Sequence, residues 1–138
     1  MSSILKLVKE LAVYEKAEGE VTASLQDYEE AFEKNIFESS VAEVNGQIVG
    51  MTLYYMTYST WKGKMLYLED FVVFEAFRNK GIGKLLFEAF LEEAKRQQVR
   101  LVKWQVLDWN QPAIEFYKKY KAVFEKEWWN VKISIDKS

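Results

Sequence analysis

Apolar positions along the chain change their period several times, and each change marks an element. Ile4, Leu7, Val8 and Leu11 recur at intervals of three and four, the stripe of a helix that Ser2 or Ser3 can cap and that ends near Gly19. Thr22 or Ser24 opens a second helix with Leu25, Tyr28, Ala31 and Phe32 inward. The period then falls to two. Residues 41–44 and 48–58 flank Asn45-Gly46, a two-residue turn signal in which both positions need positive φ, so they predict a hairpin. Trp61, Lys62 and Gly63 form the next turn and return the chain into a strand carrying Tyr67, Leu68, Phe71, Val72, Val73 and Phe74, interrupted only by Glu69 and Asp70. A polar loop over residues 75–80 follows, and Leu85, Leu86, Phe87, Ala89, Phe90, Leu91 and Ala94 restore helical spacing. Residues 101–107 read as a strand. Asp108 or Asn110 can cap a helix bearing Ala113, Ile114, Phe116, Tyr117 and Tyr120, with Pro112 in its first turn. Residues 122–126 and 128–135 read as two final strands. The pattern predicts an α/β chain in which an antiparallel meander feeds the strand at Tyr67.

Composition narrows the chemistry. With 138 residues, 49% of them hydrophobic, and one Pro, residues 1–138 are expected to form a single globular domain. Nineteen basic against 21 acidic residues leave a net charge of −2, so no overall positive field draws the chain to nucleic acid or anionic lipid. A polycation is a more natural partner than a polyanion. The absence of Cys removes disulfides and a thiol nucleophile and fits a cytoplasmic protein; the absence of His removes a His base and the commonest zinc sites. No metal is expected, and proton chemistry falls to Asp, Glu, Tyr, Lys or water. No apolar run approaches the roughly 20 residues of a membrane span, so no membrane partner is expected.

The stretch YLEDFVVFEAFRNKGIGKLL joins a strand, a basic Gly-containing loop and a helix start. That order builds an anion site, because first-turn amides have no intrahelical partners and the helix dipole adds positive character. A P-loop would follow Gly83-Lys84 with Ser or Thr, and here Leu85 follows. A dinucleotide fingerprint would place Gly or Ala at position 86 and an acidic residue about 20 further on; Leu86, Lys103 and Trp104 do not serve. What remains is R-x-x-G-x-G on Arg78, Gly81 and Gly83. It resembles the acetyl-CoA pyrophosphate loop of the GCN5-related N-acetyltransferases (GNAT). The stretch VLDWNQPAIEFYK is similar to the Asn-containing turn and Tyr-bearing helix after the fifth strand of that superfamily. With YLEDF, LKLVKELAVYE and YYMTYSTWKGKMLYLED, it resembles the diamine (spermidine/spermine) and thialysine N-acetyltransferase branch, over most of the chain.

The resemblance implies a mixed, mostly antiparallel sheet flanked by helices, with a central parallel pair prised apart around CoA by a bulge at Phe71, Val72 and Val73. It implies acetyl-CoA as co-substrate, a small amine as acceptor, and a homodimer formed near the C-terminal strands with Trp128 and Trp129 as interface aromatics. The pyrophosphate would lie on Arg78, Asn79, Lys80, Gly81, Ile82, Gly83 and Lys84, with the pantetheine arm along Phe71 to Val73 and Asn110 as a further contact. Tyr14, Glu15, Glu69, Asp70 and Trp61 match acceptor-side positions, and Tyr117 matches the general acid that protonates the leaving thiolate. The family normally has a strand of about ten residues before its first helix, where this chain begins directly at the helix. It normally has Gly at position 121, so the last helix is expected to exit differently at Lys121.

An alkylammonium with a pKa of about 10.4 must be bound as a cation and then deprotonated before it can attack a thioester. Glu69 and Asp70 are adjacent on a strand, where alternation sends neighbours to opposite faces, so only one is expected to reach the amine. Resemblance favours Glu69, with Asp70 structural. A peptide amine as acceptor, or a CoA-binding domain with weak turnover, are the competing readings.

Overall fold

The computed structural model describes residues 1–135; residues 136–138, the end of the expected single domain, lie outside the described residues. The chain divides into two compact units, one from Met1 to Gln105 and one beginning at Val106.

The first unit is a four-stranded sheet in the order β1-β2-β3-β4 with helices on both faces. Helix α1 (Ser2–Tyr14) is followed by a single 3₁₀ turn (Glu18–Glu20), α2 (Leu25–Glu33), β1 (Glu38–Val44), β2 (Gln47–Ser59), β3 (Gly63–Val73), another 3₁₀ turn (Glu75–Phe77), α3 (Ile82–Arg96) and β4 (Leu101–Lys103). The β1–β2 hairpin turns on Asn45 and Gly46 at φ 50° and 80°, as the dipeptide requires. β1, β2 and β3 pair antiparallel, and β3 pairs with β4 in parallel. That parallel pair lies at the edge of the sheet rather than its centre, because neither expected C-terminal strand forms.

Helix α1 covers one face, where Ile4 and Leu7 meet Phe37, Met51, Leu53 and Val72. Tyr28 and Ala31 of α2 pack against the same cluster, whereas Leu25 and Phe32, expected inward, are exposed. Helix α3 covers the other face with Leu86, Phe87, Phe90 and Ala94. Phe90 packs on Tyr54 and Phe87 stacks on Phe71, with ring centroids 5.2 and 5.7 Å apart. Each such fully buried ring contributes roughly 1.5–3 kcal/mol. Close seating of α3 on the sheet depends on Gly50, where a Cβ would stand 3.0 Å from Leu86 Cδ1 and 3.1 Å from the Val72 carbonyl oxygen.

Helix α1 departs from expectation at both ends, stopping at Tyr14 and not near Gly19. Neither Ser2 nor Ser3 caps α1, whose N-cap is Met1 with no side-chain hydrogen bond, while Ser24 caps α2 in a reciprocal box with Asp27. Lys16, Asn35 and Gln98 end α1, α2 and α3 in left-handed conformations, each within the paired hydrogen bonds of a Schellman exit.

In the second unit, α4 (Gln111–Lys118) is capped by the Asn110 carboxamide oxygen, which accepts from the Ala113 amide, and Pro112 lies in its first turn. The different exit expected at Lys121 is not found: this residue takes φ 60°, the left-handed conformation that Gly would take. A side chain there costs roughly 1–2 kcal/mol. Lys121→Gly is therefore expected to raise stability by up to about 1 kcal/mol, after the greater unfolded-state freedom of Gly is subtracted. Urea unfolding of both proteins measures the difference.

Residues 104–107 do not extend β4, and 122–126 and 128–135 are irregular. The alternation of Trp129, Val131, Ile133 and Ile135 fits a strand, but all four are 85–89% exposed and no ladder among the described residues reaches them. A strand exists only with a partner for its backbone groups. Among the described residues no helix is long and apolar enough to cross a membrane.

Candidate functional site

At the end of β3 the backbone is arranged to receive an anion. The 3₁₀ turn leads through Asn79 at φ 62° to Gly81 at φ 81°, ψ 0°, the N-cap of α3. No side chain caps this helix, so its first amides remain for an outside acceptor. A Cβ on Gly81 would meet nothing within 4 Å, so Gly is needed there for its φ and the space beside it is open. Lys84 and Lys80 add positive charge, the latter with its Nζ 5.6 Å from the Phe77 ring centre. Arg78 has local work as well: its Nε donates to the Val73 carbonyl at 2.9 Å, and its guanidinium lies 5.3 Å from the Tyr14 ring centre. Ile82 and Gly83 form the first turn of α3, and the Phe71 ring lies 3.6 Å from where a Gly83 Cβ would be. These residues fit a diphosphate-bearing ligand such as CoA.

The β3–β4 ladder runs only from Met65–Leu101 to Tyr67–Lys103, whereas β3 continues to Val73. The ladder therefore spans the whole of β4, and β3 beyond Tyr67 has no parallel partner among the described residues. The bulge expected at Phe71, Val72 and Val73 is not there, since these residues pair regularly with Thr52, Met51 and Gly50. Their side chains belong to the packing, which leaves only backbone for a ligand: Phe71 stacks on α3, and Val72 and Val73 are buried.

The bulge lies two residues earlier. Leu53 pairs with Asp70 and Tyr54 with Leu68, so Glu69 is the extra residue. The expected alternation of Glu69 and Asp70 is overturned as a result. Asp70 pairs with Leu53, and Leu53 and Val72 belong to the cluster under α1, so Asp70 shares that face. The Tyr55 hydroxyl donates to Glu69 Oε1 at 2.8 Å, and the Tyr55 ring stacks on Tyr67 across the same face, centroids 5.6 Å apart. The extra residue thus places Tyr67, Glu69, Asp70 and Val72 together, leaving Leu68 and Phe71 toward α3. Two carboxylates can address one cation.

Electrostatics follow from this crowding. Burial first, then Glu69 and Glu15, push the Asp70 carboxyl up to about 7. Burial also raises Glu15, the C-cap residue of α1. The Tyr28, Tyr55 and Tyr67 phenols are all raised by burial, with Glu69 adding to each and Asp70 to Tyr28 and Tyr55, so they stay protonated around the carboxylates. A raised carboxyl makes the folded state the tighter proton binder between pH about 4 and 7. Stability held at low pH is therefore lost as pH rises through that window, by at most about 4 kcal/mol for Asp70. Asp70→Asn is expected to flatten this slope and to raise the urea midpoint at pH 8 above that of the parent.

Tyr14, Glu15, Glu69, Asp70 and Arg78 thus converge at one end of the first unit. Trp61 does not join them: it sits 84% exposed at the β2–β3 turn, just before the start of β3, about 20 Å of strand from Asp70. In the second unit, Asn110 caps α4 and Tyr117 is 7% exposed with its ring edge-on to Phe116. Nothing in the sequence marks Tyr55 or Tyr28 as a site residue. Only a register that includes the bulge sets Tyr55 beside Glu69.

The model of the Acetyltransferase (GNAT) family matches residues 3–121. Among similar proteins, a thialysine N-epsilon-acetyltransferase of Bos taurus is 36% identical over 144 residues, covering 93% of this chain and 82% of its own. A spermidine/spermine N(1)-acetyltransferase-like protein 1 of Homo sapiens is 37% identical over 123 residues, 83% of this chain and 18% of its own. An aminoglycoside acetyltransferase from an uncultured soil metagenomic sample shares the fold with a TM-score of 0.80, at 18% identity over 98% of this chain and 90% of that one. An uncapped helix start behind a left-handed Gly and a family match over residues 3–121 lead to one assignment: the chain is an acetyltransferase of the GNAT family.

Proposed function

We propose that the protein transfers acetyl from acetyl-CoA to a primary amine of a diamine, polyamine or lysine-like small molecule, by direct attack in a ternary complex. The observation that carries this reading is the pair of carboxylates on one face of β3, walled by the phenols of Tyr28, Tyr55 and Tyr67. Anionic groups among aromatic rings suit an ammonium on an apolar spacer. The names of the Bos taurus and Homo sapiens relatives, a thialysine N-epsilon-acetyltransferase and a spermidine/spermine N(1)-acetyltransferase-like protein, support the same acceptor class.

Acetyl-CoA supplies an activated acetyl thioester. Arg78, Asn79, Lys80, Gly81, Ile82, Gly83 and Lys84 hold its pyrophosphate, and backbone groups of Phe71, Val72 and Val73 accompany its arm, with Asn110 as a further contact. Glu69 receives the ammonium, Tyr14 and Glu15 flank it, and Tyr117 protonates the departing thiolate. With no Cys in the sequence there is no thiol to carry the acetyl group, which favours direct transfer. The exposed alternation of Trp129, Val131, Ile133 and Ile135, with Trp128 beside it, supports a homodimer in which a second copy covers this segment.

Thiol release measured across a panel of amines tests the reading. Diamines and polyamines are expected to turn over with the highest kcat/KM. Equal or better turnover of α-amino acids lacking a second amine would refute the proposed acceptor class.

A further inference from the structure

We propose that the two adjacent carboxylates divide the work of acceptor activation: Glu69, oriented by Tyr55, binds the ammonium as an anion, and Asp70 receives its proton. This rests on the reading above, that the acceptor is a cationic amine. The bulge brings both side chains to one face, and their surroundings then separate them. The Tyr55 hydroxyl donates to Glu69 Oε1 at 2.8 Å, and the stacking of its ring on Tyr67, at 5.6 Å and 24°, fixes that hydroxyl in place. One oxygen of Glu69 is thereby occupied and the carboxylate's orientation set, with the other oxygen left to a cation. Glu69 is exposed, where an arriving ammonium meets it first.

Asp70 lies deeper. The titratable groups acting on it are Glu69 on its own strand and Glu15 on α1, while the Tyr28 phenol on α2 and the Tyr55 phenol on β2 are in turn raised by it; Tyr67 faces Glu69 on the same side. None is a cation. A carboxyl near 7 is a better match for an ammonium near 10.4 than one near 3.9, by about 10³-fold in the proton-transfer equilibrium. Protonating Asp70 also removes its repulsion with Glu69 and Glu15.

In the step, the N–H bond of the ammonium breaks and the proton passes to an Asp70 oxygen. The freed lone pair forms the C–N bond at the acetyl carbon, the C–S bond breaks, and sulfur leaves with the bonding pair as a thiolate. The nitrogen, still carrying two hydrogens and a positive charge, gives up a second proton as the amide forms, and the thiolate takes up one proton to become the free thiol. Asp70 returns its proton to water before the next turnover. Tyr55 is a positioning residue; Asp70 is the proton acceptor.

The test starts from parent protein shown to acetylate a diamine; a parent that transfers to no amine defeats the acceptor reading above, and with it this one. Asp70→Asn is expected to lower kcat by about 10²- to 10⁴-fold and to abolish the acid limb of the pH profile, which has its parent midpoint near 7. Asp70→Glu, which keeps a carboxyl, retains an acid limb and decides the matter if Asp70→Asn does not fold. Glu69→Gln is expected to raise the diamine KM about tenfold or more while preserving the limb. Tyr55→Phe keeps the stacked ring, raises the diamine KM by about three- to tenfold, and leaves the acetyl-CoA KM unchanged. In a Glu69→Gln background the same change should have no further effect, whereas a merely structural tyrosine would exert its full effect in both. Loss of the acid limb in Glu69→Gln with its survival in Asp70→Asn would overturn the assignment of the two carboxylates, and an undiminished Tyr55→Phe effect in Glu69→Gln would overturn the role of Tyr55.

Discussion

Tyr117→Phe is expected to lower kcat by at least about tenfold while leaving folding and acetyl-CoA affinity nearly intact. Tyr117 is 7% exposed on α4, its ring edge-on to Phe116 at 5.6 Å, and Phe preserves that ring and its packing. Only the hydroxyl is lost. A thiolate is a moderately good leaving group, so turnover does not strictly need an acid, but a phenol donating to the sulfur stabilises the charge that develops as the C–S bond breaks. General acid assistance of this kind typically contributes about 10²- to 10⁴-fold. Tyr120→Phe is the internal control: Tyr120, expected on the same helix, lies in the turn just past the end of α4 with its ring centroid 5.4 Å from that of Phe116, and the change should alter kcat little. A Tyr117→Phe protein with unchanged kcat, under conditions where chemistry limits the rate, would leave Tyr117 as a core aromatic alone.

Gly81→Val is expected to abolish the thermal stabilisation that acetyl-CoA gives the parent. A ligand bound only by the native state adds RT ln(1 + [L]/Kd), roughly 2.7 kcal/mol at 100 times Kd. At φ 81° a β-branched residue strains the backbone, so the ligand-free variant should itself lose about 1–3 kcal/mol. The ligand-induced shift is therefore read from each protein's own ligand-free melting temperature. Because a Cβ at this position meets nothing within 4 Å, an alanine there makes no clash inside the fold, and its loss of binding reflects the approach of the ligand or the loop backbone. Gly81→Ala, with a smaller backbone penalty, should remain folded and show a reduced shift. A full shift in both variants would remove the phosphate-loop assignment.

Much of this architecture is legible in the residues because local chemistry alone dictates it. Asn45-Gly46 supplies two positive φ angles, Asn110 and Pro112 start α4, and the Gly81 loop with Leu86, Phe87 and Phe90 behind it announces α3. The bulge at Glu69 is a property of two strands paired, and nothing in YLEDF distinguishes the residue that is left over. For that reason alternation separates two carboxylates that the fold joins, and it gives no sign of Tyr55 beside them. The C-terminal alternation fails in another way, since period two records a capacity to pair and not a partner. Lys121 shows a third limit. The position demands a left-handed residue strongly enough to impose it on Lys, so the missing Gly signalled strain and not a changed exit.

The central claim, acetyl transfer to one end of a diamine, is tested most directly by incubating the protein with acetyl-CoA and a linear diamine, following free thiol and identifying the product by mass spectrometry. Sustained thiol release is expected, matched mole for mole by diamine carrying a single acetyl group on a terminal nitrogen, with none on the protein. Thiol release without acetylated diamine, or acetyl-CoA binding without transfer to any amine, would contradict it.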